Sequence, residues 1–250
     1  RAEQQAMRDY AATESCLMEF LRRQLDDPEA APCGRCANCT GERLPVAVDR
    51  EMVARALAHL RGTDLLIEPR KMWASGVSGL KGRIPPEHLS EPGRALGAYG
   101  DGAWGASVRR ARNEGGAFSS DLLEASAALI RERWKPAPEP SWVTYVPSER
   151  RPEQVPAFAE ALAGRLGLPF QAVVRQARPH RPQGEMENSA QQLRNVHGAF
   201  AVAGALPSGP VLLVDDTIDS GWTLTVVGVA LREAGAGPVH PFVLAKVTGA

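Results

Sequence analysis

Most of the chemistry the sequence offers lies in two places. The first is a set of four cysteines, Cys16, Cys33, Cys36 and Cys39, spaced C-x16-C-x2-C-x2-C. Four thiolates satisfy a closed tetrahedral Zn²⁺ site and leave no coordination position for a substrate water, so an ion there is structural. The same ligands suit an iron–sulfur cluster, and unrelated buried thiols are the bland alternative. All 4 cysteines of the chain fall in this stretch, which is the distribution of one local site in a reducing cytosol, not of a disulfide framework.

The second place is VLLVDDTIDSGWT, residues 211–223. An apolar strand followed by Asp215 and Asp216 sets two carboxylates at the carboxyl edge of a sheet, where open α/β folds bind ligands. The loop that follows carries the hydroxyls of Thr217, Ser220 and Thr223, with Gly221 allowing close approach. It runs into a helix whose amides and dipole favour an anion. This is an anion cradle beside a diol or metal binder, and a phosphate and a ribose together fit it. Read from its position alone, Asp219 is a helix-entry cap. A receiver domain is excluded because too little chain follows Asp216, and a Walker B strand because no G-x-x-x-x-G-K-[ST] loop accompanies it. His180 and His197 read as surface or loop residues, since neither has metal-ligand spacing.

Composition bounds the rest. The 250 residues carry 29 Lys+Arg against 29 Asp+Glu, which excludes a uniformly basic nucleic-acid binder. A mild basic surplus, nine against five, lies between residues 61 and 112. Apolar residues make up 44% of the chain but never approach the roughly 18 consecutive positions of a membrane span. The opening RAEQQAMRDY lacks the apolar segment of an export signal. It reads as the middle of a helix, and the missing initiator Met points to a piece of a longer protein.

The elements that must position these groups follow from periodicity. Met7, Tyr10, Cys16, Leu17, Phe20, Leu21 and Leu25 recur at helical intervals, predicting two helices or one bent one before Pro28. Asp49 is a plausible N-cap for a short helix through Leu60, and Leu65–Ile67 reads as a strand. Eight glycines between Ala74 and Gly105 predict a loop-rich region, and another helix is expected around 122–134. KPAPEP, residues 135–140, reads as a stiff linker and a domain boundary. Beyond it strands at 142–146, 170–174, 211–214 and near the end alternate with helices, predicting a mostly parallel sheet covered on both faces. The expected fold class is therefore a multidomain α+β and α/β chain.

Two resemblances sharpen these expectations. MRDYAATESC followed by PCGRCANC (residues 7–16 and 32–39) resembles the zinc-binding module of RecQ-type DNA helicases. This implies a helical zinc module over 1–43, then a divergent winged-helix-like region over 44–135 that contacts duplex or forked DNA. Arg70, Lys71, Lys81, Arg83, Arg94, Arg109, Arg110 and Arg112 would be its phosphate contacts, with Tyr99 and Trp104 available for stacking. It also implies N-terminal helicase motor domains as partners, work in DNA repair or recombination, and a cytoplasmic, nucleoid-associated location.

From Trp142 onward the chain resembles type I phosphoribosyltransferases, and QLRNVHGAF (192–200) is similar to their ComF-type branch. The resemblance implies a phosphoribosyltransferase-like domain over 136–250 that binds phosphoribosyl pyrophosphate or a nucleotide. Asp215 and Asp216 would hold the ribose hydroxyls and Thr217 to Thr223 the 5′-phosphate. Ser148, Glu149, Arg150 and Arg151 of PSERRP would meet the pyrophosphate, with Mg²⁺ bridging it to the ribose, and Asp219 would stand near the acceptor base as the catalytic general base. Residues 178–189 would close as a lid, and Trp222, at a position usually small, would narrow the cradle or cover the ribose. The leading expectation is an accessory region of a RecQ-like helicase with this domain appended. The alternative is a phosphoribosyltransferase enzyme.

Overall fold

The computed structural model describes residues 2–43 and 47–247. Its contacts divide the chain into two compact units, Arg1–Val53 and Ala54–Ala250.

The first unit holds α1 (Ala2–Ala12), α2 (Leu17–Gln24) and the single turn α3 (Ala37–Thr40). The predicted break before Cys16 is present: the Thr13 hydroxyl accepts the Ser15 amide, and Asn38 Nδ2 donates to the Thr13 and Ser15 carbonyls at 2.8 Å each. Arg22 holds Asp27 at 2.6 Å where α2 ends. Cys16 is the one buried residue among the described residues of this unit. Apolar burial therefore contributes little here, and a unit this small needs another source of cohesion.

A fourth helix, α4 (Arg50–Arg61), begins in the first unit and ends in the second. The second unit is built on a five-stranded sheet. Its strands are β1 (Leu65–Ile67), β2 (Gly93–Ala98), β3 (Trp142–Tyr145), β6 (Val211–Ile218) and β7 (Val239–Lys246), in the order β1-β2-β7-β6-β3. Only β1 runs antiparallel, to β2; β2, β7, β6 and β3 are parallel. A separate hairpin-like pair joins β4 (Val174–Gln176) to β5 (Phe200–Val202).

Helices cover both faces. On one, α5 (Trp104–Glu114), α6 (Ser120–Ala128) with its π-helical extension Leu129–Trp134, and α7 (Gln154–Leu166) enclose Leu96, Val108, Leu122, Leu162, Leu212 and Phe242. On the other, α8 (Ser189–Val196) and α9 (Trp222–Glu233) enclose Trp142, Leu193, Val211, Leu213, Val227 and Val243. Because both faces are buried, β6 and β7 read as nearly continuous apolar runs, without alternation.

Four expectations change. The boundary at 136 is not where the chain divides, because β1 and β2, before it, are laddered into the same sheet as β3, β6 and β7, after it. Of the separate winged-helix-like region expected over 44–135, residues 54–135 belong instead to the α/β unit. Leu44, Pro45 and Val46, its first residues, lie outside the described residues. The KPAPEP segment is a crossover laid against the fold, with Pro136 and Pro140 buried. A proline-rich composition specifies extended backbone, and that serves a packed crossover as well as a linker. The predicted strand at 170–174 shrinks to a bridge at Phe170 and the start of β4.

Candidate functional site

In the first unit the four cysteine sulfurs converge, all within 4.8 Å of one another. Tetrahedral Zn–S bonds of about 2.3 Å place sulfurs about 3.8 Å apart, and Cys16 and Cys36 stand at 3.9 Å. Cys16 is the N-cap of α2 and accepts the Glu19 amide at 3.4 Å and the Cys33 amide at 3.2 Å. Cys33 accepts the Cys36 amide at 3.3 Å. Amides aimed at sulfur favour thiolate: the hydrogen bonds from Cys33 and then Glu19 lower the Cys16 thiol. At Cys36 burial acts upward, but the amides of Leu17 and Cys39 outweigh it and bring the thiol down to about 6. Cys39, beside the sulfurs of Cys36 and Cys16, is pushed up to about 11. Four sulfurs this close do not all ionise without a cation between them, and the donor set fits a metal such as zinc.

In the second unit, a cleft of about 690 Å³ opens at the carboxyl ends of β3 and β6. Its size is that of a small-molecule site. Ser148, Glu149, Arg150 and Arg151, on the turn after β3, line one wall. Asp215, Asp216, Thr217, Asp219, Ser220, Gly221 and Thr223 line the floor and the entry to α9. Two stretches about 65 residues apart in sequence meet because β3 and β6 are parallel neighbours, so their trailing turns leave the same sheet edge. Gly221 has φ 82, the left-handed backbone that lets the chain turn directly into α9.

The electrostatics of the floor are specific. Asp216 is 8% exposed. Its Oδ1 lies 3.3 Å from Arg112 Nη1 and its Oδ2 3.8 Å from Arg151 Nη1. Thr217 Oγ1 donates to Asp216 Oδ1 at 3.1 Å and accepts from Arg112. Asp215 Oδ1 accepts the Asp216 amide at 2.8 Å. Burial first, and the Asp216 carboxylate second, push the Asp215 carboxyl well above the usual carboxylate range. Asp216 is thus engaged by two guanidinium groups, while Asp215, which also lines the cleft, has no arginine on it among the described residues.

Of the eight expected phosphate contacts, five, Lys71, Lys81, Arg83, Arg109 and Arg110, are exposed. The other three are committed within the fold. Arg70 Nε donates to the Ser220 carbonyl at 2.7 Å and its guanidinium stacks over Trp222 at 4.2 Å. Arg94 pairs with Asp64 at 3.0 Å. Arg112 reaches the cleft floor. Trp104 is not free for stacking, since Arg61 covers its ring and its indole N–H donates to the Arg61 carbonyl. Tyr99 lines the cleft beside Arg112.

Trp222 does not narrow the cradle. It is 1% exposed, points into the core, stacks on Trp73 at 6.3 Å and donates to Ser189 Oγ at 2.8 Å. The position after Gly221 begins α9, and its side chain falls on the sheet-facing side of that helix. His180, expected only as a surface or loop residue, lines the cleft with its ring 5.4 Å from Phe200. The 178–189 segment contains a 3-10 turn, Gln183–Glu185, and is fastened to α8. Asn195 bonds Arg181 and Gln183, and Arg178 Nη2 caps the α8 carbonyls of Arg194, Asn195 and His197. Arg150 and Glu185 stand 3.8 Å apart on the lining.

Sequence reasoning placed Arg112 among nucleic-acid contacts and missed it as a cleft residue. No spacing signal links it to Asp216, which lies 104 residues away.

Comparison with known proteins adds a family. Residues 157–248 match the family described as phosphoribosyl transferase domain. No curated protein matches the sequence. Among solved structures, the allosteric regulatory enzyme of purine biosynthesis is 25% identical with a TM-score of 0.35, over 50% of this chain and 25% of that one. The aligned part is thus a quarter of that enzyme's length. An adenine phosphoribosyltransferase is 18% identical, TM-score 0.35, over 52% of this chain and 72% of its own. The adenine phosphoribosyltransferase of Leishmania tarentolae is 16% identical, TM-score 0.33, over 52% and 74%. Residues 157–248 of this chain carry a phosphoribosyltransferase domain.

Proposed function

We propose that the cleft binds phosphoribosyl pyrophosphate or a related 5-phosphoribosyl compound and that the domain transfers its phosphoribosyl group. The observation that carries this reading is the convergence of the 147–151 turn and the 215–223 loop on one cleft at the N-terminus of α9. The 5′-phosphate sits on the free amides of that helix start and the hydroxyls of Thr217, Ser220 and Thr223. Arg150 and Arg151 meet the pyrophosphate through charge-assisted hydrogen bonds. In the transfer, the bond from ribose C1 to the pyrophosphate oxygen breaks and its electron pair leaves with pyrophosphate. A lone pair of the acceptor forms the new bond at C1, and the acceptor's proton passes to Asp219 or to water.

The test is calorimetry with phosphoribosyl pyrophosphate on the wild-type chain and on Thr223→Glu. The new carboxylate is favourable to α9 as a first-turn acid but repels a phosphate at the same place. Wild type is expected to bind and the variant, still folded, to lose binding. No heat from wild type, or equal heat from both, overturns the proposal.

A second reading is favoured by the four-sulfur centre alone. In it the chain is an accessory region of a cytoplasmic, nucleoid-associated RecQ-like helicase, and the exposed Lys71, Lys81, Arg83, Arg109 and Arg110 meet DNA phosphates beside motor domains supplied by a longer protein. Forked-DNA binding that weakens with salt and with Arg109→Ala, Arg110→Ala supports it. Indifference to both removes it.

A further inference from the structure

Arg70 stands behind the loop that enters α9. It lies three residues past the end of β1 and far outside the 157–248 stretch that carries the family match. The strap that bears it is closed by backbone bonds: the Trp73 amide donates to the Gly82 carbonyl and the Ile84 amide to the Lys71 carbonyl, each at 3.0 Å, and Ile84 is buried. From this strap the Arg70 guanidinium covers the Trp222 ring at 4.2 Å, and its Nε donates to the Ser220 carbonyl at 2.7 Å. Trp222 is itself fixed by Trp73 and by Ser189 Oγ. Arg70 forms no ion pair among the described residues, so its polar contact there is with the Ser220 carbonyl.

That carbonyl and the Gly221 amide belong to one peptide unit. A trans peptide is planar and directs its C=O and N–H in opposite directions, and among the described residues the cis bond is Ala137–Pro138. With the carbonyl turned onto Arg70, the Gly221 N–H is turned away from it. Ser220, Gly221 and Thr223 line the cleft and Arg70 does not, whereas Arg70 and Gly221 together line a small cavity behind the loop. No protein group among the described residues accepts the Gly221 amide. A peptide beside a glycine at φ 82 has little steric restraint on its rotation, so an outside hold decides which way it faces.

We propose that Arg70 is a positioning residue of the phosphate cradle: its bond to the Ser220 carbonyl fixes the Ser220–Gly221 peptide so that the Gly221 N–H faces the cleft and donates to the 5′-phosphate of the ligand. The inference rests on the phosphoribosyl reading above and adds to it the group, supplied from outside the matched stretch, that orients the cradle. Arg70 touches no ligand in this arrangement. It acts by removing a rotation that binding would otherwise have to freeze. A carbonyl that accepts from a cation also polarises its own peptide, which strengthens the N–H at the other end as a donor.

The experiment is calorimetry with phosphoribosyl pyrophosphate and Mg²⁺ on the full, zinc-loaded chain and on two variants of matched length. In Arg70→Gln an amide nitrogen stands at the place of the arginine Nε and still donates to Ser220; in Arg70→Met a methyl stands there and nothing donates. Arg70→Met is expected to weaken binding about 10- to 100-fold, the span of one charge-assisted hydrogen bond. Arg70→Gln is expected to recover most of that loss and stay within about fivefold of wild type. A merely structural role would not separate the two, since both remove the charge and keep a side chain of equal length over Trp222. Arg70→Met within about threefold of wild type, or Arg70→Gln as weak as Arg70→Met, overturns the inference and leaves the phosphoribosyl reading standing. No binding by wild type overturns that reading and this inference with it. If Arg70→Met does not fold, the wild-type chain decides: on saturation with the same ligand the Gly221 amide proton is expected to move downfield in an amide NMR spectrum, and a Gly221 resonance that stays in place overturns the inference.

Discussion

Gly105→Ala tests whether the packing of α5 sets the geometry of the cleft. Gly105 lies in the first turn of α5, against the end of β2, and a Cβ there would stand 1.7 Å from the Ala98 carbonyl oxygen, 2.7 Å from the Gly100 nitrogen and 2.9 Å from the Ala98 carbonyl carbon. These are backbone atoms, so no side chain can swing away. Asp101 pins the same corner by accepting the amides of Ala98, Ala103 and Gly105. Real Cβ contacts essentially never fall under 3.0 Å, so relief from 1.7 Å requires α5 to retreat by about 1.3 Å, an overpacking that costs about 1–3 kcal/mol.

The same retreat takes Arg112 Nη1, now 3.3 Å from Asp216 Oδ1, beyond ion-pair reach, which places the total near the top of that range at about 3 kcal/mol. For a unit of this size about 3 kcal/mol lowers Tm by roughly 6–12 °C. All 5 tryptophans lie in the second unit, so tryptophan fluorescence follows its melting without interference from the first. Gly102→Ala, which meets nothing within 4 Å, is the control and is expected to shift Tm by no more than about 2 °C. The reasoning fails if Gly105→Ala melts with the control. It also fails in part if the variant is destabilised yet binds phosphoribosyl pyrophosphate as wild type does, because α5 would then not position Arg112.

Other contacts of the second unit and the cysteine centre set further expectations. Trp222→Ala removes a buried ring, its stack on Trp73 and its bond to Ser189; urea unfolding is expected to show a loss of about 3–5 kcal/mol, and a loss under 1 kcal/mol contradicts the assigned packing. Asp215→Asn replaces a carboxyl held toward its neutral form and is expected to cost less than about 1 kcal/mol, whereas Asp216→Asn strands two guanidinium groups and costs about 2–3 kcal/mol; equal costs would refute the distinction. Zinc uptake at pH 7 displaces at least the Cys39 proton, whose thiol titrates at about 11, so affinity rises with pH by about tenfold per unit for each proton released, and a pH-independent competition titration would contradict this. Burial lowers His240 from its ordinary 6.5, so below that pH the unfolded chain binds a proton that the folded chain refuses. Stability is therefore full above about pH 6.5 and falls as pH drops toward the folded value. A Tm profile that is flat from pH 7.5 to 5.5, or that keeps its slope in His240→Phe, removes this group from the account.

The features legible in the residues were those encoded over short distances. A C-x2-C-x2-C turn can aim its sulfurs at only a small region, so its spacing points to a shared ion before any fold is known. The run VLLVDD announces a buried strand ending in acids, followed by a loop that runs into a helix. Alternating apolar strands and amphipathic helices identify the α/β class for the same local reason, the difference between periods of 2 and 3.6.

Whatever depended on which strands become neighbours was hidden. Nothing in Gly93–Ala98 says that it ladders to Val239–Lys246, and without that pairing the first half of the unit looks like a separate domain. Pro136 and Pro140 look like linker residues until the sheet they cover is known. Arg112 looks like a surface charge until α5 is laid against β2 and carries it to Asp216. Spacing along a helix or turn is fixed by bonded geometry and can be read from the chain. Contacts across a hundred residues are set by the competition among all apolar faces for burial, and only the assembled sheet resolves that competition into one partner for each side chain.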